Sequence, residues 1–223
     1  GEQKIMQDNH LDYMVRLAES ADAELRQSSQ QHHHDAWDRL MSQQDELRAA
    51  LAFAEQQGNA DMLLRLAAAL QLFWRGRGQR AESTAWMNKA LAGGKAAPAR
   101  LRAAVMYAWA WAYADDADAL KQLAPEAAAC LEDCRAAHDD TGIAQAQTVL
   151  GGIDMAHGRY ADARRHFDEA LGIFEKLGYK HAVWNVRHRI GNALQHEDDA
   201  AAQAWMQESI RQYTASGDAQ FLS

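Results

Sequence analysis

The apolar residues of this chain recur at helical spacing. Phe167, Leu171, Phe174 and Leu177 are separated by four, three and three residues, which places them on one side of a helix. Alanine, leucine, glutamine, glutamate and arginine dominate the composition, and β-branched residues are scarce. No Asn-Gly or Asp-Gly pair separates alternating runs, so no β-hairpin is indicated. The pattern predicts an all-α protein.

The helical pattern also repeats, with a period of about 40 residues. Large apolar residues follow one another at nearly constant spacing: Leu51, Leu91, Leu131, Leu171 and Ile210. The residues just before them are all small: Ala50, Ala90, Cys130, Ala170 and Ser209. A third column consists of Leu47, Met87, Ala127, Phe167 and Met206. Each period has room for two helices of about 15 residues, so the chain is expected to hold about five helical hairpins.

A turn column follows each repeat and fixes the expected architecture. It consists of Gly58, Pro98, His138, Gly178 and Gly217, of which four are helix breakers. The predicted helix pairs are 3–27 with 34–57, 60–76 with 80–92, 98–114 with 118–137, 142–157 with 161–177, and 181–196 with 199–216. Pro125 falls inside the sixth helix and should kink or restart it. We expect an α-solenoid in which residues 1–58 form an N-terminal capping hairpin and residues 59–223 one continuous array of repeats.

Composition and charge narrow the class of protein. The 223 residues include 48% apolar residues, 2 prolines and 2 cysteines, which excludes a disordered tail, a collagen and a disulfide scaffold. Uncharged stretches such as 103–114 are too short to span a bilayer, and the chain does not open with a basic segment followed by an apolar run. The sequence therefore predicts a cytoplasmic protein without a membrane anchor. Because the first residue is Gly1 rather than methionine, a fragment of a longer protein is expected.

Two segments carry a family resemblance. Gly151–Leu171 and the residue before it resemble a tetratricopeptide repeat, through Leu150, Gly151, Gly158, Tyr160, Ala163, Phe167 and Ala170. Asp45–Leu91 is similar to the segment that opens the C-terminal tetratricopeptide region of bacterial signal-transducing NTPase regulators of the LuxR, MalT and antibiotic-regulator types. The residues that carry this similarity are Asp45, Leu47 to Leu51, Leu66 to Leu70, Phe73, Trp74, Gly78 and Trp86 to Leu91.

The resemblance implies a function that the composition alone does not indicate. In such regulators the repeat domain senses an inducer or a partner and controls an NTPase joined to a DNA-binding or other output domain. It implies a non-catalytic sensor and protein-interaction domain, with NTPase and DNA-binding domains upstream in the same chain. A free-standing adaptor that binds a partner peptide is the alternative. The ligand, the direction of regulation and the oligomeric state, a homodimer included, stay open.

Motifs for catalysis and cofactors are missing from the sequence. It contains no phosphate-binding P-loop, nucleophile elbow, zinc-protease helix or paired C-x-x-C, so neither enzymatic activity nor a cofactor is expected. Cys130, Cys134 and His138 step by four along a helix, but small packed residues fit their columns better than a zinc site. The run His32 to His34 is expected to be a solvated turn rather than a metal site. With a net charge of −8 and no basic stripe, direct nucleic-acid binding is not expected.

A candidate binding groove follows from the resemblance. In tetratricopeptide repeats the first helix of each hairpin lines the concave side, where a peptide or a small polar ligand binds. The corresponding residues here are Arg65, Leu72, Arg75, Thr148, Met155, Asn185, His188, Asn192 and Gln195. Trp111 joins them because it occupies the column of Gly151 and Gly191, where helices should approach closely; core packing and an aromatic ligand site are both open for it. An ordinary solvated face is the alternative for the whole set.

Overall fold

Helices account for 88% of the residues that the structure describes. It is a computed structural model that describes residues 2–26, 30–112, 117–196 and 198–215. No strand occurs in these ranges. The predicted all-α class is confirmed, and the packed helices are consistent with a helical repeat.

The chain divides into two compact units, Gly1–Ala112 and Tyr113–Ser223. The first contains α1 Glu2–Arg26, α2 Gln30–Ser42, α3 Gln44–Gln56, α4 Ala60–Ala69, α5 Gln71–Gly76, α6 Arg80–Gly93 and α7 Ala99–Ala112. The second contains α8 Ala117–Gln122, α9 Ala124–Ala136, α10 Asp140–Ala156, α11 Tyr160–Leu177, α12 Lys180–Gln195 and α13 Asp199–Ala215. In the second unit, each helix from α9 to α12 packs against the next one along the chain. In the first unit, α4 packs against α1, α3, α6 and α7, so the predicted N-terminal hairpin shares one unit with later helices.

Left-handed turns end helices at positions that are separated by half a repeat period or by a multiple of it. Positive φ angles occur at Gly58, Gly78, His138, Gly158 and Gly178, between 54° and 73°. The backbone N–H of the residue after each of them donates a hydrogen bond to the carbonyl five positions earlier, as from Asn59 to Ala54 at 2.9 Å. This is the Schellman arrangement. Glycine adopts this backbone without steric cost, whereas His138 adopts it with a side chain. Each helix and its turn therefore occupy half of the sequence repeat.

The turn column is confirmed where the structure describes it. Gly58, His138 and Gly178 hold the left-handed position, and Pro98 lies between α6 and α7. Gly217 lies outside the described residues. The predicted restart at Pro125 is also confirmed, because α9 begins at Ala124 with the proline in its first turn, where no backbone hydrogen bond is lost.

Two features of the helices differ from the prediction. The predicted helix 34–57 is two helices, α2 and α3, and 60–76 is likewise divided at Leu70 into α4 and α5. The expected turn at His32 to His34 is wrong, since these residues belong to α2. No glycine or proline marks either division, so local sequence preference does not reveal them.

The repeat columns form much of the core. Leu51, Leu131 and Leu171 are buried, and so are Ala50, Ala90, Cys130 and Ala170 of the small column, whereas Leu91 and Ser209 are half-buried. Ile210, by contrast, is 49% exposed, so the column loses its packing role in α13.

Gly151 allows the closest approach within a hairpin. A Cβ at this position of α10 would lie 2.6 Å from Cδ1 and 2.9 Å from Cζ of the fully buried Phe167 ring on α11. Such distances are below van der Waals contact, so only glycine fits without movement of the ring.

Ion pairs with the same sequence spacing connect helices within each unit. Lys89 Nζ lies 2.9 Å from Glu55 in the first unit, and Arg135 Nη2 lies 3.1 Å from Glu169 in the second. Position 135 follows position 55 by two repeat periods, and position 169 follows position 89 by the same interval. The acidic and basic members are exchanged between the two pairs.

Candidate functional site

One face of α12 gathers most of the predicted groove residues of the second unit. Helical spacing of three or four residues brings Asn185, His188, Asn192 and Gln195 to neighbouring positions. His188 and Gln195 are exposed and Asn192 is half-buried. The exposed part of this face can therefore be reached from solvent.

An aromatic pair organises the outer part of this face. The rings of Trp184 and His188 are stacked, with centroids 5.8 Å apart and an angle of 8° between planes. Asn192 Nδ2 lies 3.3 Å from His188 Nε2 and can donate to it when that nitrogen carries no proton. Partial burial lowers the pKa of His188 below its ordinary value, and the nearby Arg189 guanidinium lowers it further. The imidazole is thus kept neutral near pH 7 and offers one donor and one acceptor.

Arg189 extends from α12 toward α10. Its Nε donates to Asn185 Oδ1 at 3.0 Å, which fixes the direction of the guanidinium. Its Nη1 would lie 3.4 Å from a Cβ at Gly152, so the glycine leaves room for it on α10. The sequence prediction omitted Arg189. The available signal was its position next to His188 on a helix without acidic residues.

Two of the predicted groove residues are engaged in packing instead. Thr148 is 2% exposed, and its hydroxyl donates to the Ala144 carbonyl at 2.8 Å. Asn185 is 5% exposed and is occupied with Arg189. Met155, on the same helix as Thr148, is half-buried. A ligand could therefore reach fewer residues in this unit than the sequence predicted.

The first unit holds the remaining predicted residues. Arg65 Nε and Nη2 each donate to the Glu19 carboxylate at 2.7 Å, so Arg65 connects α4 to α1. Leu72 is half-buried and Arg75 is exposed on α5. Trp111 belongs to α7, but its side chain lies outside the part that the structure describes.

A buried polar network in the second unit was missed by the sequence prediction. Asp154, near the end of α10, accepts from Arg159 Nε at 2.9 Å and lies 3.4 Å from His166 Nε2 on α11. The other ring nitrogen of His166 contacts the Gln147 amide oxygen, and the Gln147 amide nitrogen donates to Glu169. Polar residues inside apolar stretches of α10 were the available signal, because such groups need partners when buried.

The two cysteines and His138 lie in different surroundings. Cys130 and Cys134 are both reduced and buried, which agrees with their interpretation as packed residues. His138 lies in the exposed turn after α9. Within the described ranges, no group of three or more His, Cys, Asp or Glu side chains could hold a metal ion.

Comparison with known proteins finds no match: no protein-family model fits this chain, and no significantly similar sequence is found among curated proteins. The helices of residues 2–26, 30–112, 117–196 and 198–215 include none that is both long and apolar enough to cross a bilayer.

Proposed function

We propose that this chain is a non-catalytic sensor and protein-interaction domain of the tetratricopeptide type, which binds a protein segment or an inducer through the first helices of its hairpins. The observation that carries the proposal is the accessible face of α12, where an aromatic pair, amide side chains and an arginine lie side by side. Such a mixture provides both contact area and hydrogen bonds.

The charge of α12 supports binding of a ligand that accepts hydrogen bonds. The helix carries Lys180, Arg187 and Arg189 and no acidic residue, in a chain whose net charge is −8. Arg187 lies 2.7 Å from Glu175 on α11, whereas Arg189 is directed toward α10. Peptide carbonyls and carboxylates are the acceptors that an arginine and amide groups bind best.

The resemblance of Asp45–Leu91 to regulators extends the proposal to a biological role. In that role, ligand binding to this domain would alter the activity of an NTPase and an output domain encoded upstream. The full-length gene tests this part directly. An upstream P-loop NTPase in the same reading frame supports the regulator, whereas a short gene without one leaves the adaptor function.

Binding itself can be tested with a library that displays fragments of the source genome. A fragment selected on the whole chain is synthesised and titrated calorimetrically against wild type, His188→Ala, Asn192→Ala and the control Gln207→Ala, an exposed residue of α13. We expect each α12 variant to weaken binding about tenfold, which corresponds to about 1.4 kcal/mol, and the control to bind as wild type does. Equal affinity for all four proteins would remove the α12 face from the site.

A second test addresses signalling. In the full-length protein, His188→Ala and Arg75→Ala should change inducer-dependent transcription while the melting temperature stays the same, since exposed side chains contribute little to helix packing. Unchanged induction by a well-folded variant would exclude that residue. The isolated chain should neither hydrolyse ATP nor bind DNA at about 200 mM salt, and salt-resistant DNA binding would overturn the assignment.

A further inference from the structure

The buried network around His166 connects three helices of the second unit. It begins at Asp154 on α10, passes through the His166 ring on α11 to Gln147 on α10, and continues through Glu169 on α11 to Arg135 on α9. Gln147 is 1% exposed and Asp154 is 8% exposed. These two side chains are therefore shielded from water, whereas the His166 ring is half-buried and Glu169 and Arg135 are exposed.

The hydrogen-bond donors and acceptors of this network can be assigned one by one. The Glu169 carboxylate only accepts, so the Gln147 amide nitrogen must face it, and the Gln147 oxygen faces the imidazole. That oxygen accepts, so His166 Nδ1 must carry a proton. Asp154 also only accepts, and Nε2 lies 3.4 Å from it, an ion-pair distance at which a protonated nitrogen is attracted and a lone pair is repelled. The arrangement is fully matched only when the ring holds two protons.

A neutral ring leaves one mismatched contact whichever tautomer it adopts. With the proton on Nδ1, the lone pair of Nε2 faces the Asp154 carboxylate. With the proton on Nε2, the Gln147 amide must turn over to donate to Nδ1, and its oxygen then faces Glu169. The first case weakens the contact of His166 with Asp154 on α10, and the second weakens the contact of Gln147 with Glu169, the residue that also pairs with Arg135 on α9.

The surroundings of the ring shift its pKa in opposite directions, and burial, the largest influence, makes the pKa lower than its ordinary value. Burial lowers the pKa of His166, as does Arg165 on α11, whereas Asp154, Glu169 and Asp162 raise it. On α9, Arg135 pairs with both Glu132 and Glu169, so these charges affect the ring indirectly. Arg159 also affects it indirectly, because it donates to Asp154. The charged contact that α12 makes with α11, Arg187 with Glu175, lies two turns further along α11.

We propose that His166 is a proton-sensitive switch, in which one ring proton decides whether the hydrogen bonds joining α9, α10 and α11 are all matched. When the proton leaves, the mismatch falls on either the Asp154 contact or the Gln147 to Glu169 contact. This proposal is independent of ligand binding by α12.

The switch can be tested by nuclear magnetic resonance on the whole ¹⁵N-labelled chain. The ring nitrogens of His166 and the side-chain amide of Gln147 are followed between about pH 5 and 8, the range in which histidine titrates. We expect the Gln147 amide signals to move with the same midpoint as the His166 ring. In His166→Gln that movement should disappear, whereas in His188→Gln, a matched change on α12, it should persist.

Two charge variants give opposite expectations. Asp154→Asn removes a carboxylate that favours the imidazolium and should lower the His166 midpoint, whereas Arg165→Gln removes a repelling charge and should raise it. Arg165 is exposed, so this variant tests the proposal even if Asp154→Asn does not fold. A Gln147 amide that does not respond to pH, or a midpoint that Arg165→Gln leaves unchanged, would overturn the switch.

Discussion

The substitution Gly151→Ala should destabilise the second unit. Its Cβ would lie within 3 Å of atoms of the Phe167 ring, which is fully buried. Adding a methyl group to a packed core costs about 3 kcal/mol at the upper end of the usual range. Alanine recovers about 1 kcal/mol because it is a better helix former than glycine. We therefore expect a net loss of about 2 kcal/mol in the free energy of unfolding.

Gly172→Ala is the matched control for this change. Gly172 is exposed in the interior of α11, and a Cβ there would have no neighbouring atom within 4 Å. The only effect of the substitution should then be the higher helix preference of alanine, which should raise the free energy of unfolding by about 0.5–1 kcal/mol. Two Gly→Ala changes in adjacent helices should thus have opposite signs.

The measurement is urea unfolding followed by circular dichroism for wild type and both variants. A third variant, Gly151→Ala with Phe167→Leu, checks the cause, because a smaller side chain at 167 should reduce the penalty of the added methyl group. The close approach of α10 and α11 would be refuted if Gly151→Ala stabilised the protein as much as Gly172→Ala. It would also be refuted if Phe167→Leu left the penalty unchanged.

Two further predictions concern the packing of the repeat columns and the two histidines whose pKa values are lowered. Leu171→Ala should cost about 2–5 kcal/mol because it leaves a cavity, and Cys130→Ala should cost less; denaturant melts in the reverse order would contradict the repeat columns. Burial lowers the pKa of His166 and His188, so the unfolded chain binds more protons below about pH 6.5, and stability should fall as the pH drops through this value. Denaturant melts across this range check the second prediction, and substituting both histidines by glutamine should flatten that part of the profile.

The sequence predicted the helices well because its signals were local. The apolar spacing and the turn residues located most helix ends to within a few residues, and Pro125 marked the restart of α9. The division at Leu70 was missed because neither a glycine nor a proline marks it.

The candidate site was less predictable, since it depends on contacts between helices. The resemblance to tetratricopeptide repeats placed His188 and Asn192 on one face, and the structure places them in contact. The same reasoning could not distinguish Thr148, whose hydroxyl bonds to its own helix, from an exposed groove residue. Nor could it foresee that Gln147 on α10 would meet His166 on α11, because nothing within either helix specifies that meeting.

The exchanged charges at positions 55, 89, 135 and 169 limit how the repeats can be recombined. If two copies of the chain exchanged hairpins so that α3 met α11, Glu55 would face Glu169, and α9 against α6 would set Arg135 against Lys89. Each attraction would become a repulsion, at a cost of about 1 kcal/mol. Similar repeats within one chain risk pairing with the wrong neighbour as they fold. The two ion pairs therefore make a swapped arrangement of these hairpins less favourable than the native one by about this amount.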